Sequence, residues 1–243
     1  MAPSFLTRAD GTKLAYRFLA GAGPTIIFLP GYMSDMQGGK ASALWQWAAE
    51  SGRAMLLLDY SGCGESGGKF SDGSLSAWCA DAAAIIDARV DGPVTLVGSS
   101  MGGWIMLLLA EKMGSRVASM VGIAAAHDFT DWDFDATVKA EIMEQGVHFM
   151  PNPYGPEPTP VYRKFFEDGQ AQLMLHREIA VQCPVRLLHG QCDKDVPHDI
   201  SLRLAAALGS SDVQVTLVKD GDHRLSRAED IDLLINIVAR LPR

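Results

Sequence analysis

The chain has 243 residues, 48% of them hydrophobic and 21% charged, which suits one sizeable core and excludes a disordered polymer. A net charge of −8, with no cluster of Lys and Arg, argues against nucleic acid as partner. Apolar runs such as Trp104 to Ala110 fall far short of the ~20 residues that span a bilayer, so one soluble α/β domain over residues 1–243 is expected.

The segment Met1 to Arg8 shows no basic leader ahead of an apolar run, and a cytoplasmic location is expected. Phe5-Leu6-Thr7 and Lys13 to Phe18 flank Asp10-Gly11, a two-residue hairpin signal. Short apolar runs then alternate with helical stretches. Thr25 to Leu29, Ala54 to Leu58, Val94 to Val97, Val117 to Ala124, Val185 to Leu188 and Val213 to Val218 read as strands. Ser42 to Ser51, Leu75 to Arg89, Met101 to Met113, Ile200 to Leu208 and Ala228 to Leu241 read as helices. Connections long enough for crossover helices imply a mainly parallel sheet of about eight strands, covered on both faces.

One connection, Asp128 to Cys183, is too long for this scheme and carries prolines at 151, 153, 156, 158 and 160. It is expected to be an inserted lid, with short helices within Asp135 to Gln145 and Val161 to Leu175. Trp132, Phe134, Phe149, Tyr154, Tyr162, Phe165 and Phe166 favour packing over the carboxyl edge of the sheet rather than a solvated loop.

Gly98-Ser99-Ser100-Met101-Gly102 lies between an apolar strand and an apolar helix, which exposes the Ser100 hydroxyl at a strand end. A plain helix N-cap is the alternative role for Ser100. A serine nucleophile needs a base, and the base needs a third group to fix its tautomer. His223 follows the last strand and is the expected base. Asp193 follows the preceding strand and is the expected acid, with Asp195 and Asp128 as alternatives. His189, among apolar neighbours at a strand end, is expected to be structural. The oxyanion of an attacked carbonyl needs backbone donors, expected from the amides of Met101 and of Tyr32 in Pro30-Gly31-Tyr32-Met33.

The glycine-rich stretch Asp59 to Ser66 lacks the spacing of a nucleotide-binding loop and reads as a tight loop bordering the site. Met33, Met36, Met101, Met143, Met150 and Met174 fall in segments expected near the pocket, where methionine suits either an acyl chain or plain core packing. Cys63, Cys79, Cys183 and Cys192 show no metal-ligand spacing and read as reduced thiols, so neither a metal nor an organic cofactor is implied.

Four stretches, Leu29 to Met36, Asp59 to Gly62, Val97 to Trp104 and Asp222-His223-Arg224, together resemble the α/β-hydrolase superfamily over nearly the whole chain. Within it the chain is similar to bacterial relatives of the mitochondrial acyl-protein thioesterase group of α/β-hydrolase domain-containing protein ten. That resemblance implies an α/β-hydrolase fold, removal of S-palmitoyl groups, hydrolysis of acyl glucuronides, and Ser100, Asp193 and His223 as the triad. The expected activity is therefore carboxylic ester or thioester hydrolysis through an acyl-enzyme. The same triad could serve lactone or carbon–carbon bond hydrolysis, and a non-catalytic binding module on the same scaffold is the third reading.

Overall fold

A computed structural model describes residues 2–153 and 155–242; Tyr154 and the two terminal residues lie outside them. The strands are β1 (Ser4–Thr7), β2 (Lys13–Leu19), β3 (Ala22–Leu29), β4 (Arg53–Leu58), β5 (Val94–Ser99), β6 (Val117–Ile123), β7 (Val147–Met150), β8 (Thr159–Tyr162), β9 (Val185–Gly190) and β10 (Val213–Val218). The helices are α1 (Gly39–Glu50), α2 (Leu75–Arg89), α3 (Met101–Met113), α4 (Phe129–Trp132), α5 (Ala136–Gln145), α6 (Arg163–Ala171), α7 (Asp199–Ala207) and α8 (Ala228–Ala239). Short 3-10 turns follow at Phe70–Asp72 and Gly114–Arg116. No helix among the described residues is long and apolar enough to cross a membrane.

Eight strands form one sheet in the order β1-β2-β4-β3-β5-β6-β9-β10. β1 pairs antiparallel with β2 and β2 antiparallel with β4, while the remaining pairs are parallel. The hairpin closes at Gly11, whose φ of +85° is the left-handed conformation that favours glycine there. After β3 the chain moves outward to β4, then returns to lay β5 on the other side of β3. Ligands in open α/β sheets bind at such a reversal, beyond the carboxyl ends of the strands.

Side-chain alternation divides the core into two layers. Ile26 and Phe28 of β3 join Leu44 of α1 and Leu234 of α8 on one face. Ile27 and Leu29 join Trp78 of α2 and Trp104 of α3 on the other. All six residues of β4 are buried, as expected for a strand covered on both sides.

The connection from β6 to β9 is folded, with α4, α5, β7, β8 and α6 along it. The two helices expected there are α5 and α6. The separate β7–β8 hairpin was not expected, because each strand has four residues and Pro160 argues against a strand interior. Pro160 is tolerated because the ribbon has only two strands and its second edge is unpaired within that sheet. Phe134, Phe165 and Phe166 are buried, Trp132 and Tyr162 half-buried, and Phe149 exposed.

Asp128 ties the two ends of this segment together. Its carboxylate accepts the Met174 N–H at 2.9 Å and the Leu175 N–H at 2.8 Å, from a backbone with φ +58°. Asp128→Ala leaves these amides without their acceptor and should lower unfolding stability by ~1–3 kcal/mol. The urea midpoint and proteolysis between residues 129 and 173 check this; an unchanged midpoint would show that the tie contributes nothing.

Candidate active site

Ser100 joins β5 to α3 with φ 54° and ψ −124°, outside the regions that L-residues ordinarily adopt. It stands at the helix N-cap position, yet its side chain makes no capping hydrogen bond. The positive φ at this turn is carried by Ser100 and not by the flanking glycines. They provide room instead. A Cβ at Gly98 would lie 2.4 Å from the Gly102 carbonyl oxygen, and one at Gly102 would lie 2.1 Å from that of Leu29. Gly31 completes the contact, since a Cβ there would stand 3.3 Å from Ser100 Cβ. The loop after β3 is therefore pressed against the serine.

Three residues remote in sequence meet at this edge. His223 Nε2 lies 3.1 Å from Ser100 Oγ, and His223 Nδ1 lies 2.8 Å from Asp193 Oδ2. An ionised carboxylate only accepts, so Nδ1 carries the proton and the Nε2 lone pair faces the serine hydroxyl, which donates to it. The Asp193 side chain is fully buried, whereas that of His223 is 15% exposed toward the cavity. Burial by itself pushes the Asp193 carboxyl up. Hydrogen bonds from His189 and His223, followed by the His223 charge and the Val196 amide, outweigh that and hold it well below the usual carboxylate range.

Of the alternative acids, Asp195 stands beside Asp193 on the cavity wall, and Asp128 does not line the cavity. Asp195 donates its backbone N–H to Asp193 Oδ1 at 2.9 Å, and Asp128 is occupied by Met174 and Leu175. Asp193, Asp195 and His223 also offer donor atoms within 4.8 Å of one another. Two of these residues are bonded to each other, and Asp193 Oδ1 accepts the amides of Asp195 and Val196.

A cavity of about 730 Å³ opens over Ser100. Gly31, Tyr32 and Met101 line it beside Ser100 and His223. The Met101 amide sits in the first turn of α3, where helix geometry provides no acceptor. The Tyr32 ring packs on Phe165 at 4.8 Å and Phe70 at 5.0 Å, and its hydroxyl donates to the Pro160 carbonyl at 2.9 Å. Burial pushes that phenol far above its ordinary range, so it stays neutral.

Met33 and Met150 also line the cavity, whereas Met36 and Met174 are core residues and Met143 is exposed away from the cavity wall. No residue of Asp59 to Ser66 reaches the cavity. The expected border loop instead acts as a brace: buried Asp59 accepts the amides of Met36 at 2.7 Å and Glu65 at 2.9 Å. Lys40 and Arg224 stand on the cavity wall. Burial, reinforced by the Arg224 charge, pushes the Lys40 amine down to about 8.

Two buried histidines contribute to the site's surroundings. His189 contacts Asp193, and His127 is fully buried in the turn after β6. Burial pushes His127 down to about 3, with the Arg203 charge acting in the same direction. An unfolded-chain histidine titrates near ~6.5, so between these values only the unfolded state takes up the proton. Stability should therefore fall as pH drops from ~6.5 toward 3, by at most ~1.4 kcal/mol per pH unit from this one group. Urea unfolding between pH 4 and 7 should show a flatter pH slope for His127→Gln than for the parent; equal slopes would remove His127 as the source.

A family model described as alpha/beta hydrolase fold matches residues 24–151, more than half of the chain. Human palmitoyl-protein thioesterase ABHD10, mitochondrial, is 41% identical over 236 residues, covering 96% of this chain and 77% of the relative. The Bos taurus protein of the same name is 41% identical over 238 residues, with the same coverage. The solved structure of alpha/beta hydrolase domain-containing protein 10 from mouse superposes with a TM-score of 0.92 at 38% identity, covering 98% of this chain and 97% of that one. These relatives are named as mitochondrial, which overturns the cytoplasmic location expected from the first residues. A compartment address is read apart from the folded domain, so the residues of the fold do not carry it. The chain belongs to the α/β-hydrolase family, and its relatives include the ABHD10 proteins.

Proposed function

We propose that the protein is a serine hydrolase that cleaves acyl thioesters and esters through an acyl-enzyme, with S-palmitoyl cysteine as a substrate class. The observation that carries this reading is the unbroken hydrogen-bonded sequence from Ser100 through His223 to Asp193, at 3.1 and 2.8 Å, on the wall of the cavity. His223 takes the Ser100 proton as Oγ attacks the acyl carbonyl, and Asp193 stabilises the imidazolium that forms. The amides of Tyr32 and Met101 receive the oxyanion. The acyl C–S bond then breaks and the His223 imidazolium passes its proton to the leaving cysteine sulfur, which, with an ordinary pKa near ~8.5, needs less help than an alkoxide does. Water then attacks the acyl-enzyme with His223 as base, and Ser100 is regenerated with its proton. No step calls for a metal or redox group.

Residues 128–183 serve as the lid in this reading. Phe129, Trp132, Met150, Pro151 and Pro153 line the cavity on that side and suit an acyl chain, with Asp133, Asn152 and Thr159 as polar groups among them. Lys40 and Arg224 stand on a wall built from other elements, where the leaving group would exit. The names of the ABHD10 relatives support the thioester substrate. Incubation with a fluorophosphonate probe followed by mass spectrometry should place the adduct on Ser100. A chain-length series of acyl thioesters beside p-nitrophenyl esters should show turnover rising toward long chains. Folded protein without an adduct on Ser100 would sink the mechanism, and turnover confined to a lactone or cyclic diketone would replace the substrate class.

A further inference from the structure

Asp193 Oδ2 is shared by two imidazoles. His223 Nδ1–H donates to it at 2.8 Å, and His189 Nε2, near the end of β9, lies 3.1 Å from the same oxygen. His189 Nε2 is also 3.0 Å from the Val196 carbonyl oxygen. Both neighbours only accept, so His189 Nε2 must carry a proton. His189 Nδ1 lies 2.7 Å from Ser201 Oγ on α7. In the neutral ring the Ser201 hydroxyl donates to Nδ1, which leaves the proton on Nε2. The side chains of His189 and Asp193 are fully buried, and Ser201 is 1% exposed.

We propose that His189 is a positioning residue for hydrolysis: held by Ser201 as a neutral Nε2–H donor, it keeps Asp193 Oδ2 where His223 needs it. The argument lies in how the carboxylate is anchored. Asp193 Oδ1 accepts the amides of Asp195 and Val196, both at 2.9 Å, which pins one end. Those bonds alone leave Oδ2 to swing with the Asp193 side chain. During a catalytic cycle the His223 ring must serve both the serine and the leaving group, so His223 cannot also be the fixed point for Oδ2. His189 can, because strand β9 and Ser201 hold it. A neutral donor suits this task better than a cation, which would compete with the His223 imidazolium for the charge of Asp193.

This inference rests on the serine-hydrolase reading, so its test begins from protein that the fluorophosphonate probe has shown to label at Ser100; absence of that adduct would defeat the earlier reading instead. ¹⁵N NMR of histidine-labelled resting enzyme should show His189 as the neutral Nε2–H tautomer near pH 7, and an Nδ1–H tautomer or an imidazolium would overturn the proposal. His189→Leu should lower kcat by ~10²-fold with KM within about threefold, as expected for misplacement of a reacting group by ~1 Å. His189→Gln, which keeps an N–H near the Nε2 position, should recover at least about tenfold of that loss. A folded His189→Leu with parental kcat, or a folded His189→Gln no better than Leu, would overturn it. Should His189→Leu fail to fold, Ser201→Ala carries the test: the Nε2–H tautomer should weaken and kcat should drop by about three- to tenfold, and parental values of both would reject the proposal.

Discussion

Ser100→Ala should give a folded protein whose kcat for ester and thioester hydrolysis is lower by ~10⁶-fold and which takes no fluorophosphonate adduct. The hydroxyl has no substitute within the cluster, because His223 Nε2 is directed at Ser100 Oγ. What survives should be the ~10³- to 10⁴-fold advantage over water that binding and oxyanion donors supply without a nucleophile. The backbone offers a control. Ser100 sits at φ 54°, a conformation that costs of order 1–3 kcal/mol in a non-glycine residue. Alanine keeps that strain and should leave the melting temperature near the parent's. Ser100→Gly relieves it and should be more stable while equally inactive. Purified Ser100→Ala that retained turnover at even a hundredth of the parental rate would assign the chemistry to another group.

The sheet was legible because burial on both faces writes itself into composition. β4 is six buried residues in a row, and the other central strands have the same character, so their runs stand out against the turns around them. Ser100 was legible for a related reason: the close approaches at Gly98 and Gly102 leave no space for a Cβ, and that constraint appears as a spacing of glycines. What the spacing does not show is that Ser100 itself, and neither glycine, takes the left-handed backbone conformation. β7 and β8 were missed because two four-residue strands joined across a proline-rich loop carry too little period-two signal.

The choice of acid shows where sequence runs out. Asp193 and Asp195 share one loop and one chain direction, and only the turn that sends the Asp195 N–H to Asp193 Oδ1 decides which carboxylate reaches His223. His189 was readable as buried but not as a partner of that acid. Its contact crosses four residues at the end of a strand, where neither helical nor strand spacing applies.

Asp193→Asn should lower kcat by ~10⁴-fold, as expected when the base is left in the wrong tautomer. The donors around Asp193 explain why an amide cannot serve. Oδ1 accepts two backbone N–H groups and Oδ2 accepts from two imidazoles, so all four of these partners donate. A carboxylate satisfies them because it has acceptor capacity at both ends. In the variant, one end becomes NH₂. If NH₂ faces the amides of Asp195 and Val196, donors oppose donors in a turn that cannot rotate them away. If it faces the imidazoles, it pushes the His223 proton from Nδ1 to Nε2 and removes the lone pair that Ser100 needs. The first orientation also leaves two buried amide donors without their acceptor, at a cost of ~1–3 kcal/mol to stability, whereas in the second His189 Nε2–H keeps the Val196 carbonyl. ¹⁵N NMR of His223 together with kcat would separate the two orientations. A tautomer switch with loss of rate points to NH₂ toward the imidazoles, and a retained Nδ1–H with a stability deficit points to NH₂ toward the loop. A folded variant within about tenfold of parental kcat would remove Asp193 from the reaction, and with it the reason for His189 to hold its place.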